Sequence, residues 1–307
     1  MTAHDAVAAR AMAAARAYPR KKKKKKIRGS SIAILVFLSM VALFMAVPLY
    51  VVIVTSFKSM EQITLGEMFS WPTTWTLEPW RKAWFDVCAG MTCEGVKRGF
   101  FISLQILFPS LVLSIGLACV TGYALALWNV KWASTFLFVL FVCAFVPFQI
   151  IMIPLVVLTA KLGIFGTLWA IALVHAVLSM PLLTLIFRNF FKDIPREIVS
   201  AAVMDSGSFW KIFWEIVLPM SGNIMIVVLI LVITGVWNDF LIGLTFGGIG
   251  TTPMTVILAN TVITERGEVH YNVDMAAALL TAIPPLVVYF ALGKFFVQGI
   301  TSGAIKG

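Results

Sequence analysis

The sequence predicts an all-α polytopic membrane protein with six transmembrane helices. Of its 307 residues, 60% are hydrophobic and only 12% are charged, whereas a soluble domain carries about 25% charged residues. Several long windows lack Asp, Glu, Lys and Arg, and each can hold the roughly 20 apolar residues that a membrane-spanning helix requires. The six predicted spans are residues 32–57, 103–127, 134–159, 164–187, 221–246 and 275–296.

The distribution of Lys and Arg predicts the orientation of these spans, because the cytoplasmic segments of membrane proteins are enriched in both residues. With the N-terminus placed in the cytoplasm, seventeen of the 24 Lys and Arg residues fall on the cytoplasmic side. Both termini are therefore expected in the cytoplasm, together with a loop at 188–220 and a C-terminal tail at 297–307. A loop at 58–102 is expected outside. The apolar segment 253–263 is too short to cross and should be interfacial or re-entrant.

Residues 1–31 read as a basic tail that precedes the membrane domain at 32–307. A cleaved signal peptide is not expected, because the first apolar segment is longer than a signal-peptide core and no small-residue cleavage site follows it. The run Lys21–Lys26 lies directly before a span. We therefore expect it to attract anionic lipids of the inner leaflet, by about 1 kcal/mol per charge, and not to bind nucleic acid.

The four cysteines divide into two pairs. Cys119 and Cys143 fall within predicted spans, where a cysteine usually acts as a small apolar packing group. Cys88 and Cys93 lie in the predicted outer loop, and no histidine lies near them in sequence to complete a zinc site. A disulfide between them is expected if the outside is an oxidising periplasm.

Signatures of enzymes are missing from the sequence: it has no phosphate-binding loop, no zinc-protease motif and no nucleophile elbow. We therefore expect no catalytic residue, no metal site and no cofactor bound by this chain. Ionisable and amide side chains within spans are candidates for a pathway or a gate. His175 can act as a proton relay or as a neutral group bonded to a neighbouring helix. Gln149, Asn238 and Asp239 can line a cavity or serve helix packing.

An amphipathic segment interrupts the apolar spans at residues 194–219. Pro195 suits a first helical turn, Gly207 suits a C-cap, and Ser208 can cap a second helix that ends before Pro219. The first helix places Ile198, Val199, Ala202 and Val203 on one face and Glu197, Ser200, Ala201, Met204 and Asp205 on the other. A helix that lies on a membrane usually has a polar face rich in Lys and Arg. The small residues found here instead favour docking into a groove of another protein.

This segment resembles the E-A-A-x-x-D-G…L-P loop of binding-protein-dependent ABC importer permeases. The stretches "MPLLTLIFRNFFKDIPREI", "VWNDFLIGLTF" and "FFVQGITSGAIKG" resemble the sugar-permease branch of that family. The outer stretches "WRKAWFDVCAGMTCEG" and "EVHYNVDMAAALLTAIPP" are similar to glucose-type permeases. The resemblance covers about residues 32–307.

The resemblance implies a type I ABC importer permease fold with a cytoplasmic coupling helix, in the bacterial inner membrane. The implied function is that of a permease subunit, not an enzyme, in an ATP-driven importer of glucose or a related monosaccharide. The implied partners are a homologous second permease, two copies of an ATP-binding subunit that carries ATP and Mg, a periplasmic solute-binding protein and the sugar. An ion-coupled secondary transporter and a non-transporting membrane scaffold are the alternatives. A secondary transporter normally needs more ionisable groups within its spans.

The sequence differs from the family's loop motif at two positions. The Glu of the motif falls on Ser200 and its Gly on Ser206, while glycine follows one place later as Gly207. Glu197, one turn earlier on the same face, is a candidate for the missing charge. The residues expected to couple the chain to its ATPase are Glu197, Ser200, Ala201, Ala202, Asp205, Gly207 and Pro219.

Overall fold

The structure is a computed structural model that describes residues 29–88, 93–264 and 269–304. Within these ranges its regular secondary structure is helical, apart from one isolated parallel bridge between Gly166 and Gly247. The all-α class is therefore confirmed. In chain order the helices are α1 Gly29–Thr55, α2 Met60–Thr64, α3 Glu78–Phe85, α4 Gly95–Leu127, α5 Ala133–Ala144, α6 Phe148–Lys161, α7 Leu168–Lys192, α8 Arg196–Ser206, α9 Phe209–Ile212, the π-helix Phe213–Val217, α10 Leu218–Met220, α11 Gly222–Trp237, α12 Leu241–Phe246, α13 Met254–Thr264 and α14 Tyr271–Ala304.

The candidate spans among the described helices are of two kinds, bent pairs of helices and single helices. Two helix pairs are together long and apolar enough to cross a membrane but are sharply bent, namely α5 with α6 and Phe209–Met220 with α11. Counting each pair as one span gives six candidate spans. The four single helices that pass the same test are Ile32–Thr55, Gly95–Leu127, Leu168–Lys192 and Tyr271–Lys294.

The third predicted span, 134–159, is not one continuous helix. The axes of α5 and α6 differ by 106°, and the chain between them passes through Pro147 in an extended conformation, with φ −57° and ψ 132°. Proline disfavours the helical conformation in the residue before it and has no N–H for the helical ladder. The helix therefore ends at Ala144 and restarts at Phe148.

The helix after Gly207 does not end before Pro219, as the sequence predicts, but continues to Met220. It widens into the π-helix Phe213–Val217 just ahead of the proline. Because Pro219 has no N–H, the preceding turn loses one helical hydrogen bond, and the π-turn changes the bonding register there. The chain then bends by 81° into α11.

The larger apolar core lies between α4 and α7, where small residues allow the two helices to approach closely. A Cβ atom added at Gly122 would lie 2.7 Å from Phe187 Cβ and 2.9 Å from Arg188 N. The backbone at this position therefore touches α7 directly. The buried small residues of α4 recur every fourth position: Ser110, Ser114, Ala118 and Gly122.

The predicted outer loop is folded around a buried lysine. Lys58 has no exposed surface, and its Nζ donates hydrogen bonds to the carbonyl oxygens of Glu67, at 2.5 Å, and Met68, at 3.3 Å. Burial lowers the pKa of the Lys58 ammonium, and the Glu67 carboxylate partly offsets this shift. Asn272 Nδ2 in α14 donates to the Lys58 carbonyl at 2.9 Å, which attaches the loop to α14.

The short apolar segment expected at 253–263 is the helix α13, which packs across the start of α4. Its Met254 N–H donates to Ser103 Oγ at 2.9 Å. Gly99 allows the contact, since a Cβ there would lie 2.8 Å from Met254 Cα. The interfacial or re-entrant placement of this helix stays a prediction.

The structure describes only part of the two predicted terminal tails. Residues 1–28, which include Lys21–Lys26, lie outside the described residues. At the other end α14 continues to Ala304, so most of the predicted tail at 297–307 is helical. The contacts within the chain define two units, and the boundary between them follows Tyr50, within α1. The apolar cores belong to the unit that begins at Val51.

Candidate functional site

The amphipathic segment forms the helix α8 with the predicted ends. It begins after Pro195, which is extended, and it ends at Gly207 in the left-handed conformation, with φ +59°. The Gly207 N–H donates to the Val203 carbonyl at 2.9 Å. Ser208 Oγ then accepts a hydrogen bond from Lys211 N at 3.4 Å and begins the next helix.

One residue of α8 is buried in the core of the chain, and the rest of the described side chains are exposed or half-buried. Ala202 is 7% exposed, whereas Met204 is 82% exposed. Ile198 and Val203, which the sequence predicts on the same face as Ala202, are 40% and 44% exposed, whereas Val199 on that face is half-buried and packs against the core. The predicted coupling residues that are exposed are Glu197, Ser200, Ala201, Asp205, Gly207 and Pro219.

An aromatic cluster connects the turn after α8 to the end of α4. Tyr123 has no exposed surface, and its hydroxyl donates to the Phe209 carbonyl at 3.0 Å. The Phe209 ring lies 4.6 Å from the ring of Tyr123 and 5.2 Å from that of Trp128. Aromatic pairs at such distances add stability beyond the apolar area they bury. The turn is therefore held firmly to α4.

Two ionisable residues meet inside the helical core. His175 Nε2 lies 3.9 Å from Asp239 Oδ2, and the same carboxylate oxygen accepts a hydrogen bond from Gly243 N at 3.0 Å. Both side chains line a cavity of about 270 Å³ between α7 and α11. Asp239 lies in the break between α11 and α12, so the fifth predicted span is also interrupted. In this cavity, the Asp239 carboxylate can accept a hydrogen bond from water or a polar ligand, and the His175 ring can also contact it.

The other predicted pathway residues do not line this cavity. Asn238 is the C-cap residue that follows α11 and is exposed. Gln149 is exposed in the first turn of α6, just after the bend at Pro147. In the described residues, no group of three or more His, Cys, Asp and Glu side chains could hold a metal ion.

Comparison with known proteins now gives these features a context. Residues 114–302 match the model of the family described as binding-protein-dependent transport system inner membrane component. This match includes α8, the aromatic cluster and the His175–Asp239 cavity, and it covers more than half of the chain. The chain belongs to this family.

Two curated members of the family illustrate the similarity. A probable ABC transporter permease protein of Pyrococcus horikoshii is 39% identical over 164 residues, which cover 53% of this chain and 59% of that protein. An alpha-glucoside transport system permease protein of Rhizobium meliloti is 32% identical over 71% of this chain and 58% of that protein. The chain thus spans just under three fifths of the length of these two relatives.

A solved structure extends the comparison of folds within the permease family. A chain of a bacterial ABC transporter involved in the import of the acidic polysaccharide alginate superposes with a TM-score of 0.74 and 19% sequence identity. The superposition covers 91% of this chain and 99% of the other. It confirms the ABC importer permease fold. The description of the family as a transport component agrees with the expectation of a permease rather than an enzyme.

Sequence reasoning missed two contacts of this permease. The Tyr123–Phe209 hydrogen bond joins residues that are 86 positions apart. The one feature of the sequence that could have indicated it is the hydroxyl of Tyr123 near the end of an apolar span. His175 and Asp239 are each recognisable as costly groups in a span. Their pairing becomes visible only once α7 and α11 are packed.

The outer cysteines of this permease are joined by a disulfide, Cys88–Cys93, in the structure. Whether the bond forms in the native membrane stays a prediction. We expect mass mapping of non-reduced peptides from native membranes to find both cysteines in one cross-linked species, because both lie in the predicted oxidising compartment. A sample that is reduced before alkylation is the control, and both cysteines should be alkylated in it. Alkylation of Cys88 and Cys93 without prior reduction would contradict the prediction.

Proposed function

We propose that this chain is a permease subunit of an ATP-driven saccharide importer of the inner membrane. The observation that carries the proposal is α8, a short helix between candidate spans that exposes Ala201 and Met204 and is anchored to the core by Ala202. A helix of this kind can enter a groove of an ATP-hydrolysing partner. Both termini and α8 then lie in the cytoplasm, as the Lys and Arg distribution predicts.

The proposed partners follow from the family and from the surfaces of the chain. We propose a homologous second permease, two copies of an ATP-binding subunit that holds ATP and Mg, and a periplasmic solute-binding protein. The exposed face of α8 supports the ATP-binding subunit in particular, since Met204 on this helix is 82% exposed. Anionic lipids at Lys21–Lys26 remain part of the proposal.

A glycoside or an oligosaccharide is the better supported substrate class. The two similar proteins described above whose names state a substrate are named for an alpha-glucoside and for alginate. They give no particular support to glucose or a related monosaccharide, which the sequence resemblance suggested. We therefore propose a substrate of at least two linked rings.

In the proposed mechanism, closure of the ATPase dimer displaces α8. The displacement passes to α4 through Phe209, whose carbonyl and ring are both held by Tyr123. It passes to α7 through the close contact at Gly122. Rigid-body movement of packed helices is a common route of conformational switching, and here it would open the pathway to the outside.

Reconstitution tests the proposal. The chain is combined with a second permease, an ATPase and a binding protein encoded by neighbouring reading frames, and saccharide uptake into liposomes is measured. We expect uptake that requires ATP and every subunit. Saccharide exchange by the chain alone would instead show a secondary transporter, for which the His175–Asp239 pair is the supporting observation. Co-purification of the subunits without any uptake would show a scaffold.

The left-handed turn at Gly207 gives a prediction for the same assembly. Gly207→Val should reduce saccharide-stimulated ATP hydrolysis, because a β-branched residue at φ +59° strains the backbone by roughly 1–2 kcal/mol and misdirects α8. Space is not the cause, since the nearest atom to an added Cβ is Val203 O at 3.6 Å. Gly207→Asn is the matched control and should retain most of the activity, because asparagine tolerates this conformation. Equal losses in the two variants would contradict the backbone explanation.

A further inference from the structure

The outer end of α4 carries a second cavity, separate from the one at His175. Its volume is about 580 Å³, and it lies between α3, the first three turns of α4 and the loop at Gly250. This volume falls in the usual range of small-molecule sites, roughly 300–1,000 Å³. Beside Cys93 and Ile102, the side chains that line it are Phe85, Glu94, Lys97, Arg98, Phe101 and Gln105.

Two aromatic rings of this cavity are free to contact a ligand. Phe85 is 51% exposed and Phe101 is 49% exposed. The Lys97 ammonium lies 5.4 Å from the centroid of the Phe85 ring, so an apolar surface and a hydrogen-bond donor stand side by side. A sugar ring presents C–H groups on its faces and hydroxyls at its edge, and this combination suits it.

Polar groups of the cavity are placed along one side of α4. Arg98, Phe101 and Gln105 recur at spacings of three and four residues, which places them on one helical face. This row is about 10 Å long at the rise of an α-helix, which accommodates two linked sugar rings. Arg98 Nη1 donates to Glu94 Oε2 at 2.7 Å. The pair therefore offers donors and an acceptor together, as a hydroxyl that both donates and accepts requires.

Gln105 places a polar group at the outer border of the predicted span. Gln105 is exposed and lies within the predicted span 103–127. An amide without partners in hydrocarbon would cost several kcal/mol, so water or another molecule must face it. Gly250 also lines the cavity: its φ of +89° suits glycine, and an added Cβ would lie 3.3 Å from Arg98 Nη2.

From these observations we infer that the cavity is a saccharide subsite at the outer entrance of the pathway, with room for two linked rings. Phe101 and Phe85 contact the ring faces, and Arg98, Lys97 and Gln105 bind the hydroxyls. The inference rests on the proposed function, because it places the transported saccharide in this cavity before it enters the spans.

The test uses the complete importer in lipid nanodiscs. A panel of radiolabelled glucose, maltose, sucrose, maltotriose and an alginate disaccharide is first screened for uptake by the wild-type importer. Binding of the transported member to the nanodisc complex is then measured without ATP and without binding protein. We expect Phe101→Leu to raise the Kd about tenfold through loss of the ring, and Arg98→Gln to raise it at least tenfold. Phe101→Tyr, which keeps the ring, should stay within about twofold.

Phe138→Leu is the matched control, since Phe138 is a 67% exposed ring of α5 that does not line the cavity; its Kd should equal that of wild type. If the importer transports no saccharide, the proposed function fails and this inference fails with it. If transport is normal and the Phe101 and Arg98 variants bind like wild type, the inference alone is overturned. Variants that no longer co-purify with the second permease, while the assembled fraction binds saccharide normally, would show that this face is a contact between permeases and would also overturn it.

Discussion

Changing Ala201 to arginine is expected to prevent the proposed ATP-hydrolysing partner from binding this chain. Ala201 is exposed on α8, and the neighbouring Ala202 is buried and fixes the orientation of the helix. A long charged side chain at Ala201 would clash with a closely docked groove and leave a charge there without a partner. The loss is on the order of 2–5 kcal/mol, which weakens association at least about 30-fold. Pull-down of the ATPase and ATP turnover by the reconstituted complex measure the effect.

A second arginine variant controls for the added charge. Ser134→Arg places the same charge at an exposed position in the first turn of α5, at the cytoplasmic border of the predicted span 134–159, where a long arginine side chain can reach the interface. It should bind the ATPase normally, and both variants should insert into the membrane at wild-type levels. If Ala201→Arg binds and stimulates the ATPase like wild type, α8 is not the coupling element, and a helix resting on the membrane surface becomes the better explanation.

The second large effect is expected at the contact between α4 and α7. Gly122→Val should lower the apparent Tm of the detergent-extracted protein and the yield of monodisperse material. The first added atom would already lie 2.7 Å from Phe187 Cβ and 2.9 Å from Arg188 N, so the two helices must move apart. Overpacking of this kind costs typically about 1–3 kcal/mol. Gel filtration after heating at a series of temperatures measures the loss.

Gly116→Val on the same helix is the control for this substitution. No atom lies within 4 Å of a Cβ added at Gly116, while the change in helix propensity is the same at both positions. The control should therefore remain as stable as wild type. Equal stability of the two variants would mean that the close contact at Gly122 is not needed for packing of α4 against α7.

Local signals predicted much of this fold. Charge-free windows identify the spans, and the ends of α8 follow from Pro195 and Gly207, whose backbone preferences act within one turn. Pro147 and Pro219 are visible in the sequence as residues that interrupt helical hydrogen bonding. It does not reveal the bend angles of 106° and 81°, because those depend on which neighbours pack against each half of the helix.

Contacts between residues that are far apart along the chain could not be predicted from this one sequence. Lys58 looks like an ordinary loop lysine, yet its carbonyl binds Asn272, 214 positions away. On the apolar face predicted for α8, Ala202 is buried and Val199 is half-buried, while Ile198 and Val203 are exposed, since periodicity identifies a face but not how much of it the core covers. At the candidate site, the sequence identified Asp239 as a group in need of a partner, and packing of α7 supplied His175.

The hydrogen bond and ring contact between Tyr123 and Phe209 have a thermodynamic consequence for the proposed importer. If α8 moves as one piece with α4, the ATPase must bind the inward-open and outward-open arrangements with different affinities. Thermodynamic linkage makes this coupling reciprocal. If a nucleotide state of the ATPase shifts the equilibrium between the two arrangements by a given factor, then the change of arrangement shifts the affinity of α8 for that nucleotide state by the same factor. A saccharide-loaded binding protein that stabilises the outward-open arrangement would thereby promote nucleotide-driven closure from across the membrane. Loosening the Tyr123–Phe209 contact would weaken the signal equally in both directions.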